Sequence, residues 1–264
     1  MSDSDNTPGL QIVRDDRILR VTIDNPARKN AIGYDAMVAI GDTFEKLKQD
    51  RDIRVVIVTG AGADFCTGAD LASGQSDQER GITSEMTMDA ANRMVRSIVD
   101  APVPVVARVR GATAGVAVAL ALAADLTYAS DEAYFLHAFI NIGLMPDGGA
   151  AALVAAAAGR ALANEMALLG ERLPATEALR RGLLAGVLPA DELDAKVEAV
   201  AAKLARGPRR ALELTKSNLN RVTLAGLDEA LEAEKAGQCE LLKSKDFAEG
   251  ATAMLTKRAP VFEP

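Results

Sequence analysis

Three places in the chain set residues that could do chemistry beside glycines that would expose them. The first is Asp147, in Pro146-Asp147-Gly148-Gly149 ahead of an alanine-rich run. An aspartate there can cap the coming helix with its side chain. It can equally present a carboxylate as a proton acceptor, with the positive end of the helix holding its pKa down. No Glu or Gln stands where a capping box would need one, so the local pattern leaves both roles open.

The second place is a pair of segments, Gly60 to Leu71 and Val109 to Gly115, whose glycines let a backbone approach a ligand closely. Gly115 opens a run of small apolar residues, so the Val116 amide falls in the first turn of a helix, lacks an intrahelical acceptor and lies at the positive end of the dipole. Such an amide can hold an oxyanion; a glycine that only permits tight helix packing explains the same residues. The third place, Thr59-Gly60-Ala61-Gly62 after an apolar strand, is how dinucleotide-binding folds begin. Phe65 stands where the third glycine of that fingerprint belongs and no clean helix follows, which favours a plain turn.

Other chemistries are excluded by supply. With one histidine, His137, and two cysteines, Cys66 and Cys239, there is no soft-ligand set for zinc or an iron–sulfur cluster, and no nucleophilic triad. His137 sits in an apolar strand-like segment and reads as structural, Cys66 as a small hydrophobe. Lys and Arg number 30 against 37 Asp and Glu, a net charge of −7, and only three Tyr and six Phe are available for stacking, so nucleic acid is not an expected partner. Met1 to Pro8 lacks the basic start and apolar run of a signal peptide, and no charge-free stretch is long enough to span a bilayer. A cytoplasmic protein without a membrane partner is expected.

The elements that must position these residues are legible in outline. Leu10 to Val13 and Ile18 to Ile23 read as a hairpin around Asp15-Asp16. Met37, Ile40, Phe44 and Leu47 recur at helical spacing, and Ile53 to Val58 follows as a β-branched run too apolar for an exposed strand, hence central and parallel. Ala72 to Gly81 reads as a polar, mobile segment. A helix through Met86, Met94 and Ile98 ends before Pro102, and Val103 to Val109 is a second buried strand. Gly115 to Ala124 is small and apolar on all sides, a helix inside the protein. Leu126 to Tyr128 and Ala133 to Phe135 are strand-like, and the sheet is expected to finish near Gly149. Beyond Arg160 nearly everything is helix-forming, with breaks at Gly170, Gly182, Gly207-Pro208 and Gly226. The expected organisation is a loose tail over 1–9, an α/β core over 10–200 and a helical C-terminal region over 201–264. A folded monomer of this size should expose roughly 11,000 Å².

Taken together, four segments resemble the enoyl-CoA hydratase/isomerase (crotonase) superfamily: Pro26 to Ala31, Phe65 to Leu71, Gly111 to Asp125 and Ile142 to Gly149, in the family's order, over roughly Val13 to Phe262. The Gly170 to Ala178 stretch, with Gly182-Leu183 and Gly186-Val187, resembles the family's linker to its C-terminal helices. The resemblance implies a spiral of ββα units, assembled as a homotrimer or a dimer of trimers, that binds an acyl-CoA thioester. It also implies that the thioester oxygen is gripped by two backbone amides, those of Ala69 and Val116. Arg28, Lys29, Ala31, Ala69, Asp70 and Leu71 would lie along the CoA, with Lys257 and Phe262 joining them from the C-terminus. No cofactor or metal is implied, since coenzyme A belongs to the substrate.

The departures from the family pattern are informative. Hydratases of the family use two glutamates, and the matching positions here hold Ala119 and Phe139. Adding water needs one carboxylate to activate the water and another to deliver a proton. Moving a double bond asks for less, because one base can take a proton from one carbon and return it to another. Asp147 resembles the acidic residue of the family's Δ3,Δ2-enoyl-CoA isomerases and ring-1,2-epoxyphenylacetyl-CoA isomerases. An acyl-CoA isomerase with Asp147 as proton shuttle is therefore the expected activity. The alternatives are another crotonase reaction (hydratase-like, thioesterase or dehalogenase) and a non-catalytic acyl-CoA-binding protein.

Overall fold

The computed structural model describes residues 7–262; the tail expected over 1–9 therefore lies outside the described residues as far as position 6. β1 (Leu10–Asp15) and β2 (Ile18–Ile23) form the expected hairpin, with Asp16 at a φ of 51° in the turn. Helix α1 (Tyr34–Lys46) follows, then β3 (Val55–Gly60), a short helix α2 (Gly74–Glu79), α3 (Ser84–Val99) and β4 (Val105–Val109). The Ala72 to Gly81 segment, read as polar and mobile, thus contains a helical turn and a half. β5 (Ala112–Ala114), α4 (Val116–Leu122), β6 (Leu126–Ser130), β7 (Tyr134–Leu136) and α5 (Ala150–Ala158) complete the first two thirds.

β3 pairs in parallel with β2 and β4. Its side chains alternate between two apolar clusters, Val56 and Val58 on one face and Val55 and Ile57 on the other. A strand covered on both faces must read as a continuous apolar run. α1 and α3 lie together on one face, with Met37, Ile40 and Phe44 buried in the same core as Met94 and Ile98. Truncating any of these to Ala would cost about 2–5 kcal/mol. α4 is buried from Val116 to Ala121, as expected of a helix apolar on all sides.

The later chain corrects one expectation. After α6 (Arg160–Leu169) come β8 (Leu173–Pro174), α7 (Ala175–Arg180), β9 (Gly186–Leu188) and α8 (Leu193–Ala205). β9 pairs in parallel with β6, so the six-stranded sheet, in the order β1-β2-β3-β4-β6-β9, takes its last strand from the region read as helical. β8 pairs with β7 in a second sheet of order β5-β7-β8. Strands of two and three residues carry too little alternation to be seen in a sequence. Position 200 falls inside α8, whose Leu193, Val197, Ala201 and Ala205 cover β3 and β4 on the second face.

Helices α9 (Arg209–Thr223), α10 (Leu227–Leu241) and α11 (Lys245–Leu255) then fold back over the core. Buried Lys216 of α9 donates to Ile98 O at 2.9 Å and to Asp125 Oδ2 at 2.9 Å. α10 packs on α3 and α5, and α11 on the turn of 3-10 helix Ala138–Ile142. The surface of 12907 Å² exceeds the roughly 11,000 Å² expected for one chain of this size. Exposed Leu214, Leu219 and Val222 on α9, and Leu255 and Val261 near the C-terminus, contribute to the excess.

Candidate active site

The site begins where β3 ends. Asn30, fully buried, donates from Nδ2 to Ala61 O at 2.8 Å and Asp64 O at 2.7 Å, while its Oδ1 accepts from Asn25 N at 2.9 Å. One side chain therefore ties the 25–31 loop to the 61–64 turn. Gly60 abuts the Phe65 and Asp64 carbonyls with no room for a Cβ. The turn is filled by its own chain and no helix follows it directly, unlike the open amide cradle that a dinucleotide pyrophosphate needs.

Beyond this turn the chain runs alongside β5. Asp64 Oδ1 accepts from Ala112 N at 2.8 Å, Cys66 N donates to Ala112 O at 3.1 Å and Ala114 N to Cys66 O at 3.0 Å. This pins Gly68 against Gly115. Both take a positive φ, 92° and 59°, and a Cβ on Gly68 would lie 2.9 Å from Ala114 O and 3.5 Å from Gly115 Cα. Only glycine allows that approach and that conformation together. The bridge between Ile32 and Ala69 uses the neighbouring groups, Ile32 N to Gly68 O at 2.9 Å and Asp70 N to Ile32 O at 3.0 Å. It leaves the Ala69 amide with no acceptor among the described residues. Val116, first in α4, is in the same condition. Two unsatisfied main-chain donors therefore follow two glycines in contact.

The loop residues expected along the CoA cluster here as well. Arg28 pairs with Asp70 at 2.7 Å, and Thr67 Oγ1 donates to Lys29 O at 3.2 Å. Arg28 and Lys29 are exposed, Ala31 is half-buried and Leu71 stands exposed at the rim. The structure thus gathers Arg28, Lys29, Ala31, Ala69, Asp70 and Leu71. Lys257 and Phe262 are exposed, and around them Arg258 pairs with Glu249 and Val261 N donates to Glu249 Oε1 at 2.9 Å, so this segment turns back on α11. Among the described residues no hydrogen bond or ion pair joins it to the 28–31 loop.

Asp147 does not cap α5. The cap position is Gly149, with no side-chain bond, and Asp147 contributes only its carbonyl, which accepts from Ala150 N at 3.1 Å. Its carboxylate turns the other way. Oδ2 accepts from Gln238 Nε2 at 2.9 Å, and Oδ1 is buried with no hydrogen-bond partner. Gly148 holds this loop against α4, where an added Cβ would meet Val116 Cγ2 at 3.0 Å and Ala119 Cβ at 3.5 Å. The loop that carries Asp147 is therefore next to the helix with one unsatisfied amide, beside a position where the family's hydratases place a glutamate. The other such position, Phe139, lies 3.8 Å from a Cβ on Gly115.

The expectation that the helix end would depress the Asp147 pKa is overturned. Burial pushes it up from 3.8 to about 6, against the pull of the Gln238 hydrogen bond. A helix terminus is worth about 0.3–1 kcal/mol. A rise of this size corresponds to roughly 3 kcal/mol at about 1.4 kcal/mol per unit, so desolvation wins.

α10 supplies two residues that the sequence reading did not single out. Glu234, buried, accepts from Gly149 N through Oε2 at 2.6 Å, and Gln238, one turn later, bonds Asp147 and accepts from Met145 N at 3.3 Å. A Cβ on Gly149 would meet Leu231 Cδ2 at 3.4 Å, so the helix lies directly on the loop. Burial, with the Asp147 charge adding to it, raises Glu234 to about 7. A signal existed: Leu227, Leu231, Glu234 and Gln238 recur at helical spacing, which puts two polar side chains in an apolar stripe.

His137 is fully buried, with both ring nitrogens unpartnered, edge-on to Phe139 and lowered by burial to about 4; it is neutral near pH 7. Cys66 is buried and its thiol is pushed up to about 12. Among the described residues no group of three or more His, Cys, Asp or Glu could hold a metal ion. No helix among them is long and apolar enough to cross a membrane.

Comparison with known proteins identifies the family. The family model described as enoyl-CoA hydratase/isomerase matches residues 14–264. The chain is 33% identical over 248 residues to the 1,2-epoxyphenylacetyl-CoA isomerase of Escherichia coli, covering 93% of this chain and 94% of that one. It is 36% identical to a probable enoyl-CoA hydratase of Rhodobacter capsulatus, covering 92% and 93%. It superposes with a TM-score of 0.91 on the crystal structure of an enoyl-CoA hydratase from Mycobacterium avium subsp. paratuberculosis, at 45% identity and covering 98% and 100% of the two chains. With a matching family model and matching folds, the chain belongs to the enoyl-CoA hydratase/isomerase (crotonase) family, whose substrates are acyl-CoA thioesters.

Proposed function

We propose that this chain is an acyl-CoA isomerase that moves a double bond through a thioester enolate. The reading rests on one observation: Asp147 has a buried, unpartnered Oδ1 and is followed by Gly148, which packs on α4, while Ala119 and Phe139 leave the two hydratase positions without a carboxylate. With a 3-enoyl thioester, Asp147 takes the proton from carbon 2 and the electron pair moves onto the thioester oxygen, where the Ala69 and Val116 amides hold the negative charge. The same carboxyl then returns the proton to carbon 4 as the carbonyl re-forms, leaving a 2-enoyl thioester. One oxyanion donor is worth about 2.7–4 kcal/mol and a general base about 10²–10⁴ in rate. A carboxyl held at about 6 is ionised at neutral pH, yet more basic than an ordinary aspartate.

Arg28 and Lys29 bind the CoA phosphates in this reading, Lys257 and Phe262 approach only when CoA or a second subunit is present, and no cofactor is required. A homotrimer or dimer of trimers would cover the exposed leucines and valine of α9; sedimentation velocity tests it. The relative named as an isomerase supports the reading, and the one named as a probable hydratase supports a second. Hydration draws on Glu234, a second carboxylate close to Asp147.

The test is Asp147→Asn assayed on 3-enoyl- and 2-enoyl-CoA with products identified by NMR. Isomerisation should fall by about 10² or more with KM little changed. Unaltered turnover would remove the role. A 3-hydroxyacyl product from the 2-enoyl substrate favours hydration, and CoA binding without turnover of any thioester in the parent chain favours a binding protein.

A further inference from the structure

Helix α10 grips the Asp147 loop at two points one turn apart: Glu234 on Gly149 N at 2.6 Å and Gln238 on Asp147 Oδ2 at 2.9 Å. The Gln238 amide is fixed in orientation because its Oε1 accepts from Met145 N. Among the described residues no lysine or arginine pairs with either carboxylate, although Glu234 is buried and the half-buried Asp147 has its Oδ1 shielded from water. Two carboxylates close together in a poorly solvated site cannot both ionise freely, and one proton remains between them.

We infer that Glu234 is a positioning residue of the proposed isomerase site, holding the pair's proton so that Asp147, oriented by Gln238, is the ionised base with Oδ1 free for substrate. This rests on the reading of Asp147 as proton shuttle. Which of the two keeps the proton follows from their surroundings. Each accepts one hydrogen bond that favours its charged form, Asp147 from Gln238 and Glu234 from Gly149 N, but Glu234 is the more deeply buried residue and has the Asp147 charge beside it, so Glu234 binds its proton more tightly. With Glu234 neutral, the only negative charge near the forming enolate is the base itself, and that charge is cancelled as the proton arrives.

Other charges facing α10 are matched elsewhere. On α3, Glu85 pairs with Lys243, Asp89 with Lys235, Arg96 with Asp228, and Arg93 with Asp42 and Glu45. α5 consists of alanine, leucine and valine alone. On α10 itself, Glu229, Glu232 and Glu240 are exposed. Asp147 is the charged group left to act on Glu234 from the loop it covers.

The experiment is the pH dependence of kcat/KM on a 3-enoyl-CoA for the parent chain and for Glu234→Gln, which keeps an oxygen to accept from Gly149 N. The parent should give a bell, rising as Asp147 ionises and falling as Glu234 loses its proton. Glu234→Gln should lose the alkaline limb, leave the acid limb in place and exceed the parent about tenfold or more at pH 9. Superimposable profiles, or equal loss at every pH, would overturn the inference. A second readout needs no variant: in protein labelled at the glutamate carboxyl carbon, the Glu234 resonance should titrate near pH 7, and titration near 4.5 overturns the inference even where Glu234→Gln does not fold. Asp147→Asn run alongside separates the two levels. If it is inactive while Glu234→Gln matches the parent, only the role of Glu234 fails; if it is fully active, the isomerase reading fails first.

Discussion

The two halves of the site are built in different ways. The amide corner, Gly68-Ala69 with Gly115-Val116, is main chain held by main chain, from segments about 47 residues apart that are joined through β5. The carboxylate corner, Asp147 with Glu234 and Gln238, is side chain held by side chain, across 85 and 91 residues of sequence. Donors built from backbone are insensitive to side-chain identity but depend on spacing measured in tenths of an ångström. Carboxylates tolerate small shifts, and depend instead on how much water and charge surround them. One fold can therefore keep the first corner and vary the second.

Substitutions that move one corner and spare the other sharpen this contrast. The largest effect in the amide corner is expected from Gly68→Ala, whose Cβ would press on Ala114 O and force the two loops apart. Loss of one donor predicts a fall in kcat of about 10²–10³ in a protein that still melts cooperatively. A fall below fivefold would place the oxyanion donors elsewhere.

Gln238→Leu removes the bond to Asp147 as well as the acceptor of Met145 N, and the loss of the first makes its effect depend on pH. Without its hydrogen bond the ionised Asp147 loses about 1.5 kcal/mol or more, roughly tenfold, so the acid limb moves to higher pH. Activity near pH 6 should drop about tenfold while activity near pH 8.5 stays within about twofold. A uniform loss across pH would mean that Gln238 serves packing instead.

The carboxylate corner should also cost the fold stability. Asp147 binds its proton more tightly folded than unfolded, so ionising it destabilises the folded chain as pH rises from about 4 through about 6, and the full cost remains above that. Asp147→Asn should therefore be more stable than the parent at pH 8, by about 1–3 kcal/mol, with the difference vanishing near pH 4. Thermal melts at the two pH values decide this. A variant less stable at pH 8 would show that the carboxylate is better solvated than its burial implies. The smallest effect belongs to the exposed loop: Arg28→Ala removes a half-exposed ion pair with Asp70. It should raise KM a few-fold and leave kcat and the melting temperature nearly unchanged.

Much of the first corner was legible in the sequence. The glycines at 68 and 115 announced a close backbone approach, and the small-residue run after Gly115 announced a buried helix, because conformational freedom and lack of a side chain are properties of a residue type. The second corner was read halfway. Asp147 stood out beside its glycines, yet its pKa was expected to fall because only the helix end could be seen. What raises it, the burial beneath α10, comes from a helix that starts 80 positions later. Glu234 and Gln238 left only a faint trace as polar members of an apolar stripe. β8 and β9 left none, since two or three residues have no period.

By itself, the order of residues determined which backbone could come close to which: glycine spacing, apolar periods and the supply of acids and cations, all of them short-range properties of the chain. Only the tertiary structure decided how strongly the Asp147 carboxyl holds a proton. That depends on what displaces water from it, and the displacing helix arrives from the far end of the chain.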